Sequence, residues 1–130
     1  MLIFTNGCFD IIHSGHVQLL EFCKNIGGKV IVGLNSDTSV KMNKGDSRPI
    51  NNQEDRKKVL ESIRYVDQVI VFEDMTPLKL IEQIKPDIIV KGSDYSEEQV
   101  VGNRIAKVIL FSYINGKSTT NIINEIKNER

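Results

Sequence analysis

Long apolar runs are missing from this sequence. None approaches the roughly 20 residues that a membrane-spanning helix needs, so no membrane partner is expected. The first short run, Leu2-Ile3-Phe4, has neither a basic flank nor a cleavage site, and no signal peptide is expected. Net charge is missing as well: 17 basic residues offset 17 acidic ones. That balance argues against a general binder of nucleic acid or of a membrane surface. Cysteine is scarce. Cys8 and Cys23 lack metal-ligand spacing and any framework of partners, so the expectation is two free thiols in a reducing cytoplasm. Internal repeats, low-complexity segments and linkers are absent too. What remains is 130 residues, 40% hydrophobic and 26% charged. The expectation is one domain over residues 1–130, large enough to bury a core without disulfides or metals.

The apolar residues alternate between two kinds of pattern. Leu2 to Thr5 is a short run stopped by Asn6-Gly7, as in a buried parallel strand. Lys29 to Leu34, Val69 to Phe72, Asp87 to Val90 and Lys107 to Phe111 repeat it. Between these runs lie segments of helical period. Leu19, Leu20 and Cys23, with Val17 before them, share one face until Gly27-Gly28 ends the helix. Asn51-Asn52-Gln53-Glu54 caps a second, which buries Val59, Leu60 and Ile63. Thr76-Pro77 opens a third, with proline at its first position, Leu80, Ile81 and Ile84 buried, and Pro86 at its end. Ser118-Thr119-Thr120-Asn121 caps the last, bearing Ile122, Ile123 and Ile126, and the tail from Lys127 is expected to fray. From Lys41 to Arg48 the apolar pattern disappears, and the run reads as a surface loop. Strands alternating with helices over short connections predict a five-stranded, doubly wound parallel α/β sheet with helices on both faces. In that class a ligand sits beyond the carboxyl ends of the strands, where the strand order switches. The polar clusters after the first, second, fourth and fifth strands fall at those ends.

Both histidines of the chain stand in one of these clusters, His13-Ser14-Gly15-His16, between the first strand and the first helix. A helix N-terminus carries unpaired N–H groups and a partial positive charge, so it attracts anions. Two imidazoles beside it can donate to the same anion, and Gly15 lets a phosphate approach the backbone. The histidine pair alone supports phosphate binding and leaves zinc open, with Asp10 or Cys8 needed to complete a metal site.

The stretch Gly7-Cys8-Phe9-Asp10-Ile11-Ile12-His13-Ser14-Gly15-His16 resembles the G-x-F-D-x-x-H-x-G-H motif of the cytidylyltransferase-like nucleotidyltransferases. Ser118-Thr119-Thr120-Asn121-Ile122-Ile123 resembles that family's second motif, S-T-T-x-I-I, and the elements between fall in the family's order. The resemblance thus covers the whole chain and implies a Rossmann-like HxGH nucleotidyltransferase fold. Within the family, Asn35-Ser36-Asp37, Lys44-Gly45-Asp46-Ser47-Arg48-Pro49 and Lys91-Gly92-Ser93-Asp94-Tyr95 resemble the adenylyltransferase domain of bacterial heptose biosynthesis. Such domains transfer AMP from ATP to D-glycero-β-D-manno-heptose 1-phosphate.

In that chemistry a sugar phosphate oxygen attacks the α-phosphorus in line and pyrophosphate leaves. No covalent enzyme nucleophile is needed; the site positions two anions and offsets charge on the equatorial and leaving oxygens. The resemblance implies that His13, His16 and Lys44 are catalytic. It implies nucleotide contacts from Asn6, Gly7, Cys8, Phe9, Asp10 and Gly15 after the first strand. Lys91, Gly92 and Asp94 would add contacts after the fourth, and Ser118, Thr119 and Thr120 at the last helix. Acceptor contacts would come from Arg56, Arg64 and Asp10. A magnesium ion is expected on the substrate phosphates, with no protein ligand set of its own. A homodimer and a cytoplasmic location are implied likewise. Plainer readings exist for several of these residues. Lys91 could be a solvated strand end, Arg56 a surface ion pair with Glu54 or Asp55, and Lys41 to Arg48 a solvated charge run. Cys8, where relatives often carry threonine, reads as a small packed residue. Asp10 beside a triphosphate costs repulsion unless it pairs with a cation, which favours an orienting role towards a histidine or Lys44 over a metal contact.

Three departures bear on the acceptor. Tyr113 and Ile114 stand where glycerol-phosphate cytidylyltransferases carry arginine and threonine. Ile63-Arg64-Tyr65-Val66-Asp67 nevertheless resembles that group, which would make Arg64 a ligand of an acceptor phosphate. The segment from Val100 to Lys107 is shorter than in the heptose enzymes, and the expectation is a transferase without a fused kinase domain, working with a separate kinase. ATP with heptose 1-phosphate is the leading substrate pair, for a surface glycan or lipopolysaccharide precursor. CTP with glycerol 3-phosphate is the enzymatic alternative, and a nucleotide-binding sensor without turnover the non-enzymatic one.

Overall fold

The computed structural model describes residues 1–112 and 119–128. Five strands, β1 (Leu2–Gly7), β2 (Lys29–Asn35), β3 (Gln68–Phe72), β4 (Ile88–Gly92) and β5 (Lys107–Phe111), form one sheet in the order β3-β2-β1-β4-β5. Every pairing is parallel. The helices are α1 (Ser14–Gly27), α2 (Asp37–Lys44), α3 (Gln53–Glu61), α4 (Leu78–Ile84) and α5 (Thr119–Asn128), with one 3-10 turn at Glu97–Gln99. The doubly wound α/β expectation is met.

Alternation along the strands divides the interior in two. Ile3, Val30, Val32, Leu34, Val69 and Val90 point to one face and meet Leu19, Leu20 and Cys23 of α1 and Leu60 of α3. Phe4, Ile31, Phe72 and Ile89 point to the other, where Leu80 and Ile81 of α4 and Val100 cover them. Because the strands are apolar on both faces, each face needs its own cover.

The strand order reverses between β1 and β4, and the register shows the consequence. β1 stays paired with β2 from Leu2↔Lys29 to Gly7↔Leu34. β1 and β4 pair only at Ile3↔Ile88 and Phe4↔Ile89, while β4 continues with β5 to Gly92↔Phe111. Beyond Phe4 and Ile89 the two central strands part, and a crevice opens at their carboxyl ends.

Several elements differ from the sequence reading. The loop expected over Lys41 to Arg48 is helical up to Lys44: α2 starts at Asp37, capped by the Ser36 side chain, which accepts from the Ser39 amide at 3.1 Å. Val59 is exposed rather than buried, and the buried positions of α3 are Arg56 and Leu60, with Ile63 half-buried just after it. Pro77 occupies the N-cap of α4 instead of its first turn, and Ile84 is only half-buried. On α5, Ile122 and Ile123 are half-buried and Ile126 is exposed. Ser118, Tyr113 and Ile114 lie outside the described residues.

Candidate functional site

α1 begins with an unusual cap. His13 is its N-cap, and its Nδ1 accepts the Gly15 amide at 3.1 Å. His16, one turn in, reaches back so that its Nδ1 accepts the His13 amide at 3.2 Å. The pair forms a reciprocal capping box in which both partners are imidazoles. A ring nitrogen that accepts an N–H carries no proton, so in each neutral ring the proton sits on Nε2. The backbone therefore sets both rings as Nε2–H donors. The rings lie 3.9 Å apart, and burial, reinforced by His13, pulls the His16 pKa down to about 4. His16 is a neutral donor at neutral pH.

The loop before α1 is built to hold this cap. Phe9 takes a left-handed backbone (φ 44°), and its ring packs 5.3 Å from that of His16. The same ring fits over Gly7, where a Cβ would come within 3.1 Å of it. Cys8 is half-buried; burial raises its thiol pKa, although Lys44, Arg56 and Arg48 pull the other way. It fits the reading of a small packed residue.

His13 and His16 line a cleft of about 630 Å³ at the crevice between β1 and β4. Asn6, Gly7, Cys8, Phe9 and Asp10 line it from the β1 side, and Lys91 and Asp94 from the β4 side. Lys44, at the end of α2, and Thr120, in the first turn of α5, complete the set of expected residues found there. Lys91 is no solvated strand end. Its Nζ donates to the Asn6 carbonyl at 3.2 Å, across the gap between the parted strands, and sits 4.9 Å from the Tyr95 ring centroid. Burial holds its pKa below the ordinary lysine value, with Asp94 and Cys8 opposing. Gly15 and Gly92 do not line the cleft: the Gly15 amide donates to His13 Nδ1, and the Gly92 carbonyl accepts the Tyr95 amide at 3.1 Å. Ser118 lies outside the described residues, and of Thr119 only the backbone is described.

Two arginines do not go where the resemblance put them. Arg56 is 1% exposed and does not line the cleft. Its Nε donates to the Asn51 carbonyl, its Nη1 to those of Cys8 and Asn35, and its Nη2 to Asp37 Oδ1, all at 2.7–2.9 Å. It joins three connections from beneath; its carboxylate is Asp37 rather than Glu54 or Asp55. Arg64 stands in the connection from α3 to β3, at the amino ends of the strands, opposite the cleft. It is fully exposed and donates to the Tyr65 hydroxyl at 3.1 Å, which in turn donates to Glu21.

Asp10 is 2% exposed and orients neither a histidine nor Lys44. Its carboxylate accepts the Ile50 amide at 2.7 Å, the Asn51 amide at 2.9 Å and Arg48 Nε at 3.3 Å. Arg48, Asn35 and Asn43 line the cleft and were not picked out from the sequence. Arg48 lay inside a noted stretch, but an arginine beside a proline in a polar run looks like a solvated charge.

This arrangement defines a class: α/β proteins that hold a phosphorylated ligand at the switch point of a parallel sheet, against a helix N-terminus. The family model described as Cytidylyltransferase-like matches residues 4–128, and the chain belongs to that family of nucleotidyltransferases. Among curated relatives, the bifunctional protein HldE of Campylobacter fetus subsp. fetus is 54% identical over 127 residues, covering 97% of this chain and 28% of that protein. HldE of Aliarcobacter butzleri is 53% identical over 127 residues, covering 97% of this chain and 27% of its own length. The chain thus spans little more than a quarter of the length of these relatives. Among solved structures, the lipopolysaccharide core biosynthesis protein from Thermoplasma volcanium GSS1 superposes with a TM-score of 0.77 at 27% identity, covering 88% of this chain and 98% of that one. Pantoate-beta-alanine ligase from Francisella tularensis, at 18% identity and a TM-score of 0.63, covering 98% of this chain and 69% of its own, shares the fold.

Proposed function

We propose that the chain transfers AMP from ATP to a sugar 1-phosphate, D-glycero-β-D-manno-heptose 1-phosphate, with release of pyrophosphate. The observation that carries this reading is the pair of Nε2–H imidazoles fixed by the α1 cap in the lining of a cleft of about 630 Å³. The identity to HldE proteins supports the heptose acceptor and a role in lipopolysaccharide precursor synthesis.

In the reaction an acceptor phosphate oxygen forms the new bond to the α-phosphorus as the bond to the β-phosphate oxygen breaks. The phosphate needs no base to make it a nucleophile at neutral pH. The histidine donors act on oxygens that gain charge in the transition state, and being fixed beforehand they need little reorganisation. Lys44 and Lys91 supply positive charge from two sides. Thr120 and, by resemblance, Ser118 and Thr119 serve the distal phosphates. Among the described residues no group of three His, Cys, Asp or Glu side chains could hold a metal. A magnesium ion would be held chiefly by the phosphate oxygens and would offset their charge. The homodimer and the cytoplasmic location belong to the same proposal; among the described residues no helix is long and apolar enough to cross a membrane.

The test is pyrophosphate release with each of four nucleoside triphosphates against heptose 1-phosphate and glycerol 3-phosphate. Turnover is expected with ATP and heptose 1-phosphate. Turnover confined to CTP and glycerol 3-phosphate would overturn the substrate assignment. Tight ATP binding with no pyrophosphate from either acceptor would make the chain a sensor.

A further inference from the structure

Resting on the nucleotidyl-transfer reading above, we propose that Arg48 binds a substrate phosphate in the cleft and that Asp10 is its positioning residue. A carboxylate at a polyphosphate site repels its ligand unless its charge is taken up locally. Asp10 meets that condition with one guanidinium and two backbone amides: Oδ2 accepts from Ile50 N and Arg48 Nε, and Oδ1 from Asn51 N. One buried side chain therefore holds both the Arg48 guanidinium and the backbone just after it.

The tether engages only Nε. Among the described residues no hydrogen-bond acceptor meets Nη1 or Nη2 of Arg48, although its side chain is only 12% exposed and lines the cleft. A planar fork of donors, held at its base and turned to a cavity, matches a pair of phosphate oxygens. Arg56, eight positions on, shows the opposite arrangement, with Nε, Nη1 and Nη2 all engaged by protein oxygens. Lys44 supplies charge at an exposed helix end, without such a tether. Arg48 is thus the preorganised cation of the α2–α3 connection. Its ligand is a phosphate group, of the triphosphate or of the sugar 1-phosphate.

Steady-state kinetics of pyrophosphate release separates the two sources. KM for ATP and KM for heptose 1-phosphate are measured for wild type, Arg48→Gln, Arg48→Lys and Asp10→Asn, alongside thermal unfolding. Arg48→Gln is expected to raise one of the two KM values roughly 10- to 100-fold, the scale of a charge-assisted hydrogen bond, while thermal unfolding reads separately the stability lost when the buried Asp10 carboxylate loses its cation. The affected KM names the phosphate. Arg48→Lys recovers only part of the loss, because a point charge lacks the fork. Asp10→Asn raises the same KM, and adding Arg48→Gln to it raises that KM no further, whatever the cost of Asp10→Asn in stability. Unchanged KM values for both substrates in Arg48→Gln would overturn the assignment. If wild type releases no pyrophosphate with any pair, the functional reading fails on its own. Calorimetric titration with ATP and with heptose 1-phosphate then decides Arg48, and equal affinities for wild type and Arg48→Gln would dismiss it.

Discussion

His16 serves two purposes: its Nδ1 caps a helix, which leaves the proton on Nε2, and its ring lines the cleft. His16→Ala removes both, and turnover is expected to fall by at least about 100-fold, the scale of losing one transition-state donor. Pyrophosphate release at saturating substrate measures it, and near-normal turnover would refute the role. The same residue makes stability depend on pH. Folding lowers its pKa to about 4 from the usual 6.5, so as pH falls the unfolded chain takes up the proton first. The contribution is fully present above about pH 6.5 and is lost as pH drops towards 4, amounting to about 3 kcal/mol at roughly 1.4 kcal/mol per unit. Urea unfolding from neutral to mildly acidic pH, compared with His16→Asn, should show that excess slope in the wild type alone. Asparagine keeps an acceptor for the His13 amide but does not titrate, so parallel curves would reject the linkage. Arg56 is decided by its partners rather than by its charge. Arg56→Ala leaves Asp37 without its cation and three carbonyls without a donor, and a loss of about 3–5 kcal/mol is expected from denaturant titration. A variant as stable as wild type with a raised acceptor KM would restore the role that the resemblance implied.

Ser36 shows at the level of the element what local sequence can and cannot disclose. Its hydroxyl accepts the Ser39 amide at the start of α2 in a fully buried position, so Ser36→Ala should cost about 1 kcal/mol in chemical denaturation. A negligible change would mean that the cap is dispensable. Asn35-Ser36-Asp37 carries a cap signal, yet the helix behind it was legible only as a loop. The cause is a thin apolar stripe: Ser39 and Val40 are its buried residues, and polar side chains cover the rest. Strands were easier, because a strand buried on both faces must be apolar throughout. The fifth strand was placed at Lys107 to Phe111, where it lies, while β1 and β4 run two residues further than their apolar runs, into Asn6-Gly7 and Lys91-Gly92, of which Asn6, Gly7 and Lys91 line the cleft. The α1 turn, with both histidines at the helix start, was legible because all its parts are local. Arg56 was not, since Cys8, Asn35 and Asn51 converge on it from three separate connections, and no spacing rule records that. Arg64 misled for the same reason in reverse: its neighbours in sequence resemble an acceptor site, while the parallel topology puts every connection of that type at the far end of the sheet.

On the scale of the whole molecule the two faces of the sheet are covered unequally. α1 and α3 close one face, whereas the other relies on α4 and on the short segment between β4 and β5. That segment, whose brevity stood out in the sequence, contributes Val100 at 4% exposure and then turns back at Gly102. Gly102 has φ +90°, and a Cβ there would lie 2.8 Å from Ile89 Cδ1 and 3.0 Å from two carbons of Ile81. A side chain at this position meets two costs together: a backbone conformation that L-residues avoid, and overlap with the residues that join β4 to α4. Gly102→Ala should therefore destabilise the fold by about 1–3 kcal/mol or more, seen as a lower denaturation midpoint. Val100 and Val101, just before it, line the cleft, so the KM values for both substrates are measured alongside stability. The combination is diagnostic. Lower stability with unchanged KM for both substrates would identify the short connection as a core closure. Full stability would mean that the segment can move aside, and a raised KM at full stability would tie its length to the acceptor pocket instead.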